Sequence, residues 1–189
     1  LRPVPNLVIS SPLNELDLRN LMYTGYKENN GPFVIRYPRG KGEMADWRNE
    51  MHVLPIGKGK KLRDGDDIAI LSLGPIGNEV IKAIKEIEGD GISIAHYDMI
   101  YLKPMDEELL HEVGKKFSRI ITVENGVIRG GLGSAVLEFM ADNGYTPKIK
   151  RIGVPDEFVE HGPISELYKL CGMDAKCIAE EIKKMVIGG

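Results

Sequence analysis

Three short stretches carry the residue types that could do chemistry: Glu124-Asn-Gly-Val-Ile-Arg-Gly-Gly-Leu-Gly-Ser134, Arg36-Tyr-Pro-Arg-Gly40 and Glu160-His-Gly162. The first follows an apolar run, Arg119–Val123, and precedes a helical pattern, Ala135–Met140. It reads as a strand, a glycine-rich turn and a helix start. Its glycines permit sharp turns and close backbone approach. Glu124 and Asn125 fall at the strand's C-terminal end, where open α/β sheets place functional groups. Free N–H groups at the helix start suit an anion or a partner's carboxylate. The same pattern equally describes a tight strand-to-helix connection. No Lys-Ser or Lys-Thr follows, so the stretch is not a P-loop, and its glycines miss the dinucleotide register. The loop is expected to face another domain or subunit.

Arg36 and Arg39 flank a strand end, and guanidinium forks bind phosphate or carboxylate bidentately. The alternative is a surface turn with solvated arginines. Gly74-Pro-Ile-Gly77 suits either an anion-binding helix start or a plain turn. His161 is a candidate acid–base group or a solvated loop residue. Asp106-Glu-Glu108 reads as compensation of a helix dipole. Leu167, Leu170, Ile178, Ile182 and Met185 read as core-facing stripes. No Ser–His–Asp order, paired carboxylates or metal-ligand spacing stands out among these residues.

The elements that must position these groups alternate in type. Asn6–Ser10 and Phe33–Arg36 read as strands around a helix whose apolar positions are Leu16, Leu18, Leu21, Met22 and Tyr26; Asn29-Asn-Gly-Pro32 stops it. This is a βαβ unit with parallel strands, too small to bury its own core. Residues 1–40 are therefore expected to be the end of a larger domain, residues 41–51 a linker carrying Trp47, and residues 52–189 a second domain. In the latter, Val53–Leu62 reads as an edge strand and Arg63–Asp66 as a turn. Asp67–Leu73 reads as a doubly covered parallel strand. Strands at 92–96, 120–123 and 148–152 alternate with helices starting near 77, 106, 132, 163 and 174, and 97–103 reads as a connection. The expected fold class is a three-layer α/β/α domain preceded by a βαβ remnant.

The 189 residues carry a net charge of -3 and are 42% hydrophobic, which offers no basic surface for nucleic acid and no membrane span. Two cysteines, Cys171 and Cys177, read as reduced thiols of a cytoplasmic protein. A chain opening at Leu1 reads as a fragment or a processed product.

The order of Pro5-Asn-Leu-Val-Ile9, Leu21-Met-Tyr-Thr-Gly25, Gly31-Pro, Arg36-Tyr-Pro-Arg-Gly40, Gly57-Lys-Gly, Lys103-Pro-Met-Asp106, Glu124-Asn-Gly, Gly130–Ser134 and Glu160-His-Gly162 resembles the 1-deoxy-D-xylulose-5-phosphate synthase family. The resemblance covers essentially the whole chain. It implies the end of a pyrimidine-binding domain followed by a transketolase C-terminal-like domain. It also implies a transferase joining pyruvate to glyceraldehyde 3-phosphate with loss of carbon dioxide, in isoprenoid, thiamine and pyridoxal biosynthesis. Thiamine diphosphate and Mg2+ are the family's cofactors, and a homodimer its assembly. Arg39 matches the family arginine that contacts the aldehyde's phosphate. Gly89-Asp90-Gly91 ends a helical pattern, and the family's own Gly-Asp-Gly motif with its distant Asn, the glutamate that activates the cofactor and the histidines near the reacting carbons are expected to lie outside these 189 residues. The fragment is thus expected to bind no cofactor and to be inactive by itself. Two other readings remain: an assembly domain like that of a 2-oxo acid dehydrogenase or transketolase, and a stand-alone anion-binding module.

Overall fold

Ile68–Leu73, apolar but for Ser72, forms β4, and all six residues are buried. Alternate side chains feed opposite faces, as strand geometry dictates. Ile68 and Ile70 join one core; Ala69, Leu71 and Leu73 join the other. In this computed structural model, which describes residues 1–28, 31–40, 42 and 48–188, β4 lies at the middle of a five-stranded sheet. The order is β3 (Lys60–Arg63), β5 (Ile94–Asp98), β4, β7 (Arg119–Val127) and β8 (Lys148–Val154). All neighbours are parallel except the edge strand β3.

Helices α2 (Gly77–Glu86) and α6 (Ala175–Ile187) cover one face through Val80, Ile84, Ile178 and Ile182. Helices α3 (Glu107–Lys116) and α4 (Leu132–Asp142) cover the other through Leu110, Val113, Val136 and Met140. The expected three-layer α/β/α architecture is present. Asp106 caps α3, its carboxylate accepting from Leu109 N, so this residue does more than compensate the dipole. The short α5 (Ile164–Leu170) has no buried residue. Leu170 is exposed there and does not belong to a core stripe, whereas Ile178, Ile182 and Met185 do.

The N-terminal βαβ unit is β1 (Val8–Ser10), α1 (Glu15–Glu28) and β2 (Phe33–Ile35), with β1 and β2 parallel as expected. Its sheet gains a third strand from a distance. Tyr101–Lys103, read from sequence as a connection, is β6 and pairs antiparallel with β1. The apolar stripe expected on α1 holds in part: Leu21 is buried and Leu16 and Leu18 are half-buried, but Met22 and Tyr26 are exposed, and Asn20 and Thr24 are buried in their stead. The reason is hydrogen bonding. Asn20 Oδ1 accepts from His52 N at 3.0 Å, and Thr24 Oγ1 accepts from Leu54 N at 2.8 Å. Residues 53–56, expected to be strand, instead form irregular backbone that enters a turn at Ile56, with Leu54 and Ile56 packed on the cluster of Val8, Leu21, Ile100 and Tyr101. Arg63 ends β3 where a turn was expected. Trp47, Asn29 and Asn30 lie outside the described residues.

Candidate functional site

The chain leaves β4 for β5 on one side and leaves β7 for β8 on the other. That reversal opens a crevice between the C-terminal ends of β4 and β7, the place where open α/β sheets bind ligands. The two stretches bordering it are 73–77 and 124–132, the glycine stretches singled out in the sequence; β7 runs on past the expected end at Val123 to Val127, with a shift of register between them. A cleft of about 220 Å3 lies there. Its walls include Glu124, Asn125, Gly130 and Gly131 on one side, and Ile9, Ser10, Ser11 and Arg36 of the N-terminal unit on the other. The loop thus faces the βαβ unit.

The start of α4 is not open to an external anion. Glu124 is buried, and its carboxylate accepts from Leu132 N and Gly133 N, both at 2.9 Å. A carboxylate there meets both the unpaired amides and the helix dipole. Gly131 allows this closure, since a Cβ there would stand 1.8 Å from Glu124 Oε2. The start of α2 is closed as well. Gly77 N, Asn78 N and Glu79 N bond back to Gly74, Pro75 and Ile76, while Asn78 Nδ2 donates to Leu13 O at 3.1 Å. Of the two readings open at each turn, the structure therefore favours the plain connection, because internal acceptors occupy the amides that a ligand would need.

Arg36 is engaged too. Its guanidinium spans to Asn125, donating to the side-chain oxygen and, at 2.6 Å, to the backbone carbonyl. Two further bonds hold the backbone at Arg36: its N–H donates to Ser10 O, and its carbonyl accepts from Ser11 Oγ, both at 2.8 Å. Arg39 is exposed. Its neighbours Tyr37, Pro38 and Gly40 line a second cleft of about 300 Å3, together with Leu13, Asn78 and Tyr168. Tyr168 joins the two clefts, since Asn125 Nδ2 lies 3.5 Å from its hydroxyl. Of the expected ligand arginines, the structure thus leaves Arg39 facing solvent and commits Arg36 to a protein contact.

His161 is exposed, with no acid–base partner among the described residues. The buried histidine is His96, whose Nε2 lies 2.8 Å from Ser72 Oγ; burial pulls its pKa down to about 4, so it is a neutral core group. Asp98, at the end of β5, was missed in the sequence. Burial pushes its pKa up to about 7 against one bond from Ile100 N, with Asp17 of α1 raising it and Lys60 lowering it. An acid closing an apolar strand was the available signal. Among the described residues no group of three or more His, Cys, Asp or Glu could hold a metal ion, and no helix is long and apolar enough to cross a membrane.

A family model described as the C-terminal domain of transketolase matches residues 57–178. The chain is 80% identical over 184 residues to the 1-deoxy-D-xylulose-5-phosphate synthase of Parabacteroides distasonis, covering 97% of this chain and 29% of that protein. It is 59% identical over 185 residues to the synthase of Bacteroides fragilis, covering 97% of this chain and 28% of that protein. The chain therefore spans under a third of the length of these relatives. Among solved structures, a split-gene transketolase described as an inactive beta4 tetramer superposes with a TM-score of 0.85 at 29% identity, covering 98% of this chain and 59% of that one. A transketolase mutant from Pichia stipitis, 19% identical with a TM-score of 0.66 over 99% of this chain and 26% of its own length, shares the fold.

Proposed function

The chain belongs to the transketolase C-terminal domain family, and from that premise we propose that it is the last part of a 1-deoxy-D-xylulose-5-phosphate synthase. High identity to such synthases over nearly the whole chain is the observation that carries the reading. In this reading residues 1–40 end a pyrimidine-binding domain, 41–51 link and 52–189 form the C-terminal domain of a cytoplasmic homodimer. The complete protein joins pyruvate to glyceraldehyde 3-phosphate for isoprenoid, thiamine and pyridoxal synthesis.

The described residues do not fit a thiamine diphosphate and Mg2+ site. They hold no cluster of metal ligands, and the glutamate buried beside the crevice is spent on the start of α4. Residues of the complete protein outside this chain would hold the cofactor. What this chain contributes is recognition of the aldehyde. Arg39 offers a guanidinium fork to the phosphate on a loop braced by neighbouring bonds, and charge-assisted bidentate contacts favour that geometry.

The test is turnover by a full-length protein carrying this sequence, supplied with pyruvate, glyceraldehyde 3-phosphate, thiamine diphosphate and Mg2+. Carbon dioxide and 1-deoxy-D-xylulose 5-phosphate should form in equal amounts. No product from a folded, cofactor-loaded protein would contradict the proposal. Calorimetry on the 189-residue chain alone should show no saturable cofactor binding in the micromolar range.

A further inference from the structure

We infer that Arg36 and Asn125 form a positioning strut that sets the height and angle of the Arg39 loop, so that the preference for a phosphorylated aldehyde depends on a contact that never touches the phosphate. This rests on the reading of Arg39 given above. Arg36 stands three residues before Arg39, and only Tyr37 and Pro38 intervene. Its fork spans to the other wall of the crevice, donating to both the side chain and the backbone carbonyl of Asn125.

The receiving end is itself fixed. Asn125 follows Glu124, whose carboxylate is held by two amides of α4. The sending end is fixed by Ser10 and Ser11, which bond the Arg36 backbone on both sides. Proline at 38 restricts the remaining backbone. The chain of contacts therefore runs from α4 through Glu124, Asn125 and Arg36 to the loop that bears Arg39. A lysine at 36 would keep the charge and lose the fork, because an ammonium cannot serve two acceptors in that planar geometry.

The experiment compares Arg36→Lys, Asn125→Ala and Arg39→Ala in the full-length synthase. The quantity read is the ratio of kcat/KM for glyceraldehyde 3-phosphate to that for unphosphorylated glyceraldehyde, with the KM for pyruvate and the melting temperature measured alongside. Arg36→Lys should lower the ratio by roughly tenfold or more, as misplacement of a binding group does, with the pyruvate KM within about twofold. Asn125→Ala should lower it less, since the backbone acceptor remains. Combining Arg36→Lys with Arg39→Ala should add little to Arg39→Ala alone, because the two act on one contact.

An unchanged ratio in a folded Arg36→Lys enzyme overturns the strut, as does an equal loss with both aldehydes. If Arg39→Ala is selective while Arg36→Lys is not, the strut fails and the function stands. If Arg39→Ala is also unselective, the assignment of Arg39 fails with it. Should Arg36→Lys fold poorly, Asn125→Ala decides by the same ratio.

Discussion

The two sides of the crevice are closed in different ways. On the β7 side the closure is local: Glu124 turns back onto the first amides of α4, eight and nine residues on, and Gly131 makes room for it. On the β4 side backbone carbonyls of the same turn take the helix-start amides, and the N-terminal unit adds its packing. Ser11 packs on Gly74, where a Cβ would lie 2.1 Å from Ser11 Oγ, and Leu13 packs on Gly77. Gly74 also has a φ of +79°, which L side chains adopt at a cost. Both turns thus close their helix-start amides locally; the β4 turn is in addition packed by Ser11 and Leu13, and the β7 turn is touched by Arg2 at Gly130 O and by Arg36 at Asn125 O. Glycine-rich turns at a crossover need not serve a ligand: one here receives its own side chain and the other a neighbouring segment.

The sharpest way to break this contrast is Gly131→Val. The new side chain would displace the Glu124 carboxylate, leaving a buried acid and two helix amides unpaired. The expected loss is about 3 kcal/mol or more, read by chemical denaturation. It should be the same with or without residues 1–40, because the clash is internal to the β7 side. A loss that appears only when those residues are present would place the cause at the seam.

A smaller effect probes the opposite side, where Asp98 ends β5 near Asp17 and Lys60. A carboxyl whose folded pKa is raised to about 7 binds more protons folded than unfolded, so its contribution favours the fold below the unfolded pKa, near 4, and is lost as pH rises through about 7. Asp98→Asn keeps an oxygen for Ile100 N and removes the titration. The variant should be more stable than the parent at pH 8, by on the order of 2 kcal/mol, and should lose that advantage by pH 4.5. Parallel melting curves across that range would show that Asp98 does not titrate in this window. His96 has the opposite sign, its contribution being lost as pH falls from about 6.5 toward 4. The difference between variant and parent, not either curve alone, is therefore the readout.

How much of this was legible in the sequence follows from how local each determinant is. The continuous apolar run Ile68–Leu73 announced a strand covered on both faces, and the two layers of helices follow from it. The Leu132–Asp142 helix and its glycine-rich start were equally local. The α1 face was right at Leu21 and wrong at Met22 and Tyr26, because Asn20 and Thr24 are buried to satisfy the amides of His52 and Leu54, some thirty residues away. β6 was missed because three residues have no periodicity of their own and are strand only through pairing with β1. At the site, the arginine types pointed to anion recognition, but nothing in their spacing separates Arg36, tied to Asn125, from Arg39, which faces solvent. That distinction is set by a contact across 89 residues.

The central claim is that this chain carries the aldehyde-recognition side of a synthase through Arg39. Its most direct test is steady-state kinetics of Arg39→Ala in the full-length enzyme, varying each substrate in turn. Losing one charge-assisted phosphate contact should raise the KM for glyceraldehyde 3-phosphate by roughly 10- to 100-fold, equivalent to about 1.5–3 kcal/mol, and leave that for pyruvate within about twofold. Equal changes for the two substrates, or none, would remove Arg39 from the substrate site and contradict the account.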